Sequence, residues 1–218
     1  MGVIYYLKPS KGLINEESNK QVKIDFFKTL SFWGQKSNLL KTHVGLHLLG
    51  KRDGFGIINV EHYVEMLKQA VRFSHKIHEV QGKILFVNNP IDSKFDGLIK
   101  TLALKIDEPY FLGKWVSGTL TKKVKLDYKA IIVLNPKKSV FLIKETKKIG
   151  LPTICLGDSD SDIFDIMYPI LCNNSKGDSI LFCLILLSNA ILEEKLYCFA
   201  NQHLNLKKHV RKKNTGYS

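Results

Sequence analysis

Two hydrophobic patterns alternate along the central part of the chain. Between residues 60 and 80, apolar side chains recur every three or four positions, which predicts an amphipathic helix. Largely apolar runs occur at residues 83–87, 130–134 and 152–156, and each is followed directly by Asn or Gly. Short runs of this kind are typical of strands that are buried on both faces of a sheet. The pattern therefore predicts buried strands separated by helices.

Weaker patterns supply the remaining elements. Gly150 follows a helical pattern that reaches Ile149, and glycine is the preferred residue at the left-handed C-cap of a helix. Strands that alternate with helices form right-handed β-α-β units, so we predict an α/β fold with a mainly parallel sheet covered on both faces. The other predicted elements are helices near residues 37–49, 95–102, 142–149 and 178–194, and strands at 54–59 and 168–171.

The two ends of the chain differ from this alternating region. Residues 1–35 contain Pro9, Gly12 and a polar cluster at 15–19, which interrupt any regular period and predict an N-terminal extension. The α/β domain is expected over residues 36–195, and residues 196–218 form a basic C-terminal tail. The longest apolar run is too short to span a bilayer, and the start of the chain lacks a secretory pattern.

Charge narrows the choice of partner. The chain has 33 basic and 20 acidic residues and a formal net charge of +13, which favours a polyanion such as RNA, DNA or an anionic membrane surface. A solvated basic surface with no partner is the alternative interpretation of the same excess. The four cysteines show no C-x-x-C spacing, so they indicate core residues in a reducing compartment rather than a zinc ribbon.

A parallel α/β sheet often binds a nucleotide, but the loops needed for that are missing from the sequence. The segment Gly45–Lys51 fits the first seven positions of a phosphate-binding loop, yet Arg52 follows where Ser or Thr should hold magnesium. No G-x-G-x-x-G follows a predicted strand. A nucleotide-dependent enzyme is therefore only the alternative hypothesis.

The polar clusters also lack the spacing of a metal or catalytic site. Asp158, Asp160 and Asp162 alternate, but a calcium loop would need Gly and Glu where Ile163 and Pro169 stand. We expect a solvated turn there. The two histidine pairs at 43/47 and 75/78 have no third ligand, and no nucleophile, base and orienting group come together. We predict no enzyme activity, no cofactor, no metal and no small-molecule substrate.

One segment combines the residue types that hold nucleic acid. Residues 114–123 mix lysines, hydroxyls and an indole in a predicted loop. Lysines neutralise phosphates, threonine hydroxyls bond phosphate or ribose oxygens, and Trp115 is placed either to stack on a base or to pack internally.

The same segment resembles the R-W-L-G-G-T-L-T-N signature of the ribosomal protein S2 family. Trp115 and residues 118–121 match it, and the substitutions are Lys114 for Arg, Ser117 for Gly and Lys122 for Asn. The resemblance continues in register over roughly residues 37–195, through several ordered motifs. These are Leu39-Leu40 with Val44, Arg52-Asp53-Gly54 with Ile57-Ile58-Asn59, Lys83–Val87, Asn135-Pro136, Gly150–Thr153, Asp158-Ser159, Tyr168–Ile170 and Asn173-Asn174.

This resemblance implies a three-layer α/β/α domain of flavodoxin-like outline that binds small-subunit rRNA between head and body without catalysis. It also implies a structural role for the turn at Asp158. The sequence departs from bacterial members between Thr121 and Ala130, where the long helical hairpin insertion has no room. It also lacks the W-N-P-x-M-x-P-Y-I stretch before Arg52.

The resemblance also bears on location and on the residues that face RNA. Residues 86–90 resemble plant and protist mitochondrial members, and only three of the 33 basic residues are arginines. We therefore expect a mitochondrial ribosome, with a plastid ribosome or a free nucleic-acid-binding protein as alternatives, and rRNA and neighbouring ribosomal proteins as partners. The predicted RNA-facing residues are Lys51, Arg52, Lys114, Trp115, Thr119, Thr121, Lys122, Lys123, Lys207, Lys208, Arg211, Lys212 and Lys213.

Overall fold

A five-stranded parallel sheet forms the centre of the molecule. The computed structural model describes residues 16–88, 94–121 and 128–214, with side chains for 19–88, 94–121 and 128–199. The strands of this sheet are β4 (Lys83–Asn88), β5 (Tyr110–Leu112), β6 (Tyr128–Val133), β7 (Thr153–Gly157) and β8 (Tyr168–Leu171). Their order in the sheet is β5-β4-β6-β7-β8, and every neighbouring pair is parallel.

The strand order identifies the architecture. Counted from β4, the order is 2-1-3-4-5, which is the order of flavodoxin-like sheets. The sheet is flanked by helices, consistent with the predicted three-layer α/β fold, which is therefore confirmed. The apolar runs that predicted β4, β6 and β7 are the buried centre of the sheet, since all five residues of β7 are buried.

Among the described residues, the helices that accompany this sheet are α2 (Val60–Glu79), α3 (Asp96–Lys105), α4 (Val140–Ile149) and α5 (Gly177–Asn214). Helix α2 begins where the Asn59 side chain accepts a 2.9 Å hydrogen bond from the Glu61 N–H. It packs against α5, β8 and β4, while α3 packs against β4, β5 and α5. Gly150 ends α4 with a φ of 69°, as its predicted role as a left-handed cap requires.

A smaller antiparallel sheet precedes α2 and corrects one prediction. It contains β1 (Trp33–Lys36), β2 (Leu48–Arg52) and β3 (Phe55–Ile58) in the order β1-β3-β2. The helix predicted over residues 37–49 was wrong, because a 3₁₀ turn occupies Thr42–His47 and leads directly into β2. Of the residues whose spacing suggested a helix, Val44 is buried, Leu40 and Leu48 are half-buried and Leu39 is 48% exposed, so partial burial at this spacing also arises without a helix.

The predicted N-terminal extension contains a helix that joins the core. Helix α1 (Glu16–Lys28) begins inside the polar cluster that was expected to interrupt regular structure. Its residues Val22 and Phe26 are buried, and the Phe26 ring lies 4.4 Å from that of Tyr63 on α2. Tertiary packing of an apolar face outweighs weak local propensity here. The division of the chain into extension, domain and tail stays a prediction.

The connection between β5 and β6 carries the signature segment. Residues 113–116 are irregular, residues 117–121 form turns, and residues 122–127 lie outside the described residues. Six residues between Thr121 and Tyr128 leave no room for a long helical hairpin.

In the part of the chain that the structure describes, no helix is long and apolar enough to cross a membrane.

Candidate nucleic-acid interface

The first predicted pair of basic residues lies at the tip of a β-hairpin. Lys51 and Arg52 end β2 and are exposed, and Arg52 pairs with Phe55 of β3. Asp53 and Gly54 form the two-residue turn with φ angles of 51° and 79°, as a type I′ hairpin turn requires. The Arg52 guanidinium lies 3.6 Å from the Asp53 carboxylate in an exposed ion pair. Because such pairs are weak, Arg52 remains available to a phosphate.

The second predicted group lies on the signature loop, defined here as residues 113–121. The carboxylate of Glu145 on α4 is buried and collects the donors of this loop. It accepts hydrogen bonds from the indole N–H of Trp115 at 2.9 Å and from the backbone N–H groups of Leu120 and Thr121 at 2.8 and 2.9 Å. A carboxylate at the centre of the loop therefore fixes its conformation.

The electrostatics of Glu145 follow from these donors. Burial raises the pKa of the Glu145 carboxyl, but hydrogen bonds from Trp115, Thr121, Leu120 and Gly118 outweigh burial and hold it below its usual value. The carboxyl group is therefore ionised at neutral pH, and the ionised form is the one that these N–H groups stabilise. The loop is consequently anchored most firmly at neutral and higher pH.

The loop residues named from the sequence are used in two ways. Trp115 packs edge-on against Phe111, with ring centroids 5.0 Å apart, and its N–H is engaged by Glu145. The hydroxyl of Thr119 donates to the Val116 carbonyl at 2.6 Å, and that of Thr121 donates to Glu145 at 3.3 Å. Lys114 is exposed. The indole and hydroxyls thus shape the loop, and Lys114 is presented to solvent.

The remaining predicted residues fall outside what the structure shows. Lys122 and Lys123 lie outside the described residues. The basic residues at 207–213 belong to the last turns of α5, where side chains lie outside the described part. Their role in binding RNA stays a prediction.

The turn after β7 is buried over residues 158–161, which corrects the expectation of a solvated turn there, whereas Asp162 is exposed as expected. Asp158 and Ser159 are 0% exposed. The Asp158 carboxylate accepts hydrogen bonds from the Gln35 side chain at 3.0 Å and from the Asn174 N–H at 3.2 Å. The Ser159 hydroxyl accepts one from the Gln35 N–H at 2.7 Å. This turn therefore joins the small antiparallel sheet to the parallel sheet.

The close approach at this junction depends on Gly34. A Cβ atom at this position would lie 2.5 Å from the Ser159 hydroxyl oxygen, so a larger residue would force β1 away from the turn.

Burial raises the pKa of Asp158, and the hydrogen bonds from Gln35 and Ser159 oppose that shift. In the described part of the chain, no group of three or more His, Cys, Asp or Glu side chains is arranged to hold a metal ion.

Comparison with known proteins agrees with this architecture. A model of the family described as ribosomal protein S2 matches residues 26–130 and 122–194, which is most of the chain. The chain belongs to the ribosomal protein S2 family. The match begins inside α1 and runs into α5, so it includes the parallel sheet, the hairpin and the signature loop.

Individual family members are distant in sequence. The small ribosomal subunit protein uS2 of Ehrlichia chaffeensis is 23% identical, over 74% of this chain and 72% of its own length. The protein of the same name from Karelsulcia muelleri is 22% identical, over 77% of this chain and 96% of its own. That from Colwellia psychrerythraea is 31% identical over a shorter stretch, 44% of this chain and 39% of its own.

Two anchoring residues of this S2 family member were missed by sequence reasoning. Glu145 lies between Leu142 and Ile149, on the helix face that the apolar pattern buries. A carboxylate on a buried face needs hydrogen-bond donors, so this position could have indicated a residue that accepts several hydrogen bonds. Gln35 gave no such signal, because its partners Asp158 and Ser159 are more than a hundred residues away in sequence.

Proposed function

We propose that the chain is a structural constituent of the small subunit of a mitochondrial ribosome, where it binds small-subunit rRNA and acts in translation without catalysis. Family membership supports the ribosomal assignment. The observation that carries RNA binding is the signature loop, in which Glu145 holds the backbone and leaves Lys114 exposed. A rigid loop presents its lysine at a low entropic cost on binding.

The contacts are expected to be mainly with phosphates. Lys51, Arg52 and Lys114 are exposed, and each cation that meets a phosphate releases condensed counterions from the RNA. Such contacts position the protein without reading bases, as suits recognition of RNA by shape. Lys122, Lys123 and the basic residues at 207–213 extend this proposed interface. Neighbouring small-subunit proteins complete the list of partners.

The mitochondrial assignment rests on sequence features. Only three of the 33 basic residues are arginines, as expected of an AT-rich gene, and many organellar genes are AT-rich. The run at residues 86–90 resembles plant and protist mitochondrial members. A plastid ribosome is the alternative location.

The test is sedimentation of mitochondrial lysate through a sucrose gradient in magnesium, with the chain followed by mass spectrometry. We expect it to migrate with the small subunit and to leave that fraction after RNase or high salt. Migration at the top of the gradient would contradict the ribosomal role and would favour a free nucleic-acid-binding protein. Co-migration with plastid rather than mitochondrial ribosomes, after separation of the organelles, would contradict only the location.

A further inference from the structure

Two histidine rings meet at the base of the β2–β3 hairpin. The Nδ1 atoms of His47 and His62 lie 3.2 Å apart, and the ring planes are inclined at 76°. His47 is the last residue of the 3₁₀ turn before β2, and His62 lies in the first turn of α2. The pairs that sequence spacing suggested were 43/47 and 75/78, so the fold gives His47 a different partner. Both rings are half-buried, which leaves the pair within reach of solvent.

A hydrogen bond is one interpretation of this contact. Between two neutral imidazoles, one Nδ1 carries a proton and donates it, and the other Nδ1 accepts. The pair then needs nothing else. The same two nitrogen atoms also have a second use, because a neutral imidazole binds metal ions through either ring nitrogen.

The separation of the two nitrogen atoms fits a shared metal ion. Zinc binds imidazole nitrogen at about 2.0–2.1 Å with tetrahedral angles, which places two such ligands about 3.3 Å apart. The observed separation of 3.2 Å is close to this value. A metal needs the lone pair of each Nδ1, so the proton between the rings would move to the Nε2 atom of the ring that carries it. Both imidazoles remain neutral in that exchange.

The backbone positions both rings in advance. The carbonyl of His47 accepts a 2.9 Å hydrogen bond from the Asn59 N–H, which closes the base of the hairpin. The Asn59 side chain accepts from the Glu61 N–H at 2.9 Å and so caps the helix that carries His62. The two ligands therefore belong to one hydrogen-bonded junction. Preorganisation of this kind lowers the entropic cost of binding.

The surroundings suit a neutral ligand and leave part of the coordination shell open. Burial lowers the pKa of His47, and the neighbouring His62 and His43 lower it further. His43 itself accepts a 3.3 Å hydrogen bond at Nε2 from the Ile163 N–H. Among the described residues, no third His, Cys, Asp or Glu completes the set. Water or a donor from a neighbouring molecule would fill the remaining positions, as in zinc sites that keep an open position.

We propose that His47 and His62 form a two-ligand site for a divalent first-row transition ion, such as Zn²⁺, at the base of the β2–β3 hairpin. Imidazole ligands suit zinc, copper and nickel, whereas Mg²⁺ and Ca²⁺ require oxygen ligands. The ion would join the start of β2 to the first turn of α2. It would thereby hold the hairpin whose tip presents Lys51 and Arg52. The inference is independent of the ribosomal role.

The first experiment adds Zn²⁺ to the purified full chain, previously stripped of metal with a chelator, and follows the histidine ring nitrogens by NMR. We expect the Nδ1 signals of His47 and His62 to shift together, and Mg²⁺ at the same concentration to leave them unchanged. Zn²⁺ should also raise the Tm, because it binds the folded chain and the separated histidines of the unfolded chain more weakly. Ring signals that do not respond to Zn²⁺ would overturn the proposal.

Glutamine variants separate a metal site from a hydrogen-bonded pair. His47→Gln and His62→Gln each keep a donor and an acceptor but remove one imidazole ligand. Each should retain the Tm of the metal-free natural chain and weaken Zn²⁺ binding at least tenfold, since even changes behind a ligand cost 10–100-fold. The matched control is His75→Gln, further along α2, whose side chain is 20% exposed and faces Glu194. It should bind Zn²⁺ like the natural chain.

The same variants exclude the histidines at 203 and 209, near the end of the chain. Zn²⁺ binding that survives both His47→Gln and His62→Gln would place the metal elsewhere and overturn the assignment.

Hydrogen exchange tests the effect on the hairpin. With Zn²⁺ bound, the backbone amides of residues 48–58 should exchange more slowly in the natural chain and at an unchanged rate in His62→Gln. Equal exchange with and without bound Zn²⁺ would overturn the role of the ion in holding the hairpin. A chain that binds Zn²⁺ through this pair but stays at the top of the gradient would contradict only the ribosomal role. A His62→Gln chain that sediments with the small subunit without binding Zn²⁺ would support the independence of the two.

Discussion

Two buried carboxylates, Glu108 and Glu145, are satisfied by different kinds of donor. Glu108 accepts hydrogen bonds from the His78 ring at 2.9 Å and from the Ile84 N–H at 2.6 Å, and it contacts the Lys195 ammonium. Glu145 accepts from an indole and from backbone N–H groups. The first carboxylate therefore joins α2, β4 and α5, whereas the second supports a loop.

The difference shows how this fold accommodates an irregular crossover. Helices α3 and α4 connect β4 to β5 and β6 to β7, and a helix satisfies its own backbone groups, whereas residues 158–167 connect β7 to β8 without a helix. The connection between β5 and β6 has no helix in its described residues, so its N–H groups need another acceptor. Glu145 supplies that acceptor from the adjacent helix. In this chain the buried contacts of the signature loop therefore support folding, and the position of the exposed Lys114 depends on them.

The largest effect is expected from Glu108→Ala. It would leave the buried Ile84 N–H and His78 ring nitrogen without their acceptor, while Lys195 would keep its hydrogen bonds to the Ile106 and Asp107 carbonyls. Removing one side of such a buried network costs about 3–5 kcal/mol of the free energy of unfolding. Chemical denaturation of the purified chain measures this. Glu79→Ala, at an exposed position at the end of α2, should change stability by less than about 0.5 kcal/mol. Equal losses of stability in the two variants would contradict the role of Glu108 in joining α2, β4 and α5.

A smaller loss is expected from Glu145→Ala. The Leu120 and Thr121 N–H groups and the Trp115 indole would lose their acceptor, which costs about 1–3 kcal/mol. The signature loop should also become sensitive to trypsin at Lys114. Glu145→Gln keeps a carbonyl oxygen for these donors and should be intermediate in both assays. A loop that resists trypsin in the alanine variant would show that Glu145 does not hold it.

Lowering the pH should reduce the contribution of both Glu108 and Glu145 to the free energy of unfolding. Burial raises each pKa, but the hydrogen bonds received by Glu108 and Glu145 hold both pKa values below the ordinary 4.5. The unfolded chain therefore takes up protons first as pH falls. The stabilisation is complete above the ordinary pKa and is lost as pH drops through the folded one.

The Glu145→Gln variant tests this pH dependence. Its side chain does not titrate, so its free energy of unfolding should fall less than that of the natural chain between about pH 6 and about pH 3. Denaturation curves across that range measure the difference. Parallel curves for the two proteins would mean that the Glu145 pKa is not lowered by folding.

The sequence correctly predicted the elements that are determined by residues close together in the chain. The apolar runs of β4, β6 and β7 and the cap at Gly150 are local signals, and the structure confirms them. β5 has only three half-buried residues and gave no pattern. The helix expected at 37–49 failed because the Asp53-Gly54 turn draws the preceding residues into a hairpin.

For the same reason, only part of the candidate site could be predicted from the sequence. Lys114 and Trp115 were found from residue type and family resemblance. Glu145 lies 24–30 residues from the loop groups that it binds, and Asp158 lies 123 residues from Gln35. Contacts between such distant positions leave no trace in local periodicity. They determine which polar groups are buried, as the turn at Asp158 shows.

The smallest effect should come from Lys114→Ala and concerns binding alone. Lys114 is exposed and supports nothing in the loop that Glu145 holds, so stability should not change. If its ammonium meets a phosphate, the slope of log K against log salt for small-subunit rRNA should fall by about 0.7 to 0.9. Filter binding over a range of salt concentrations measures it. Lys148→Ala removes the same charge from the exposed face of α4, so an equal change of slope there would mean that net charge rather than the signature loop determines binding.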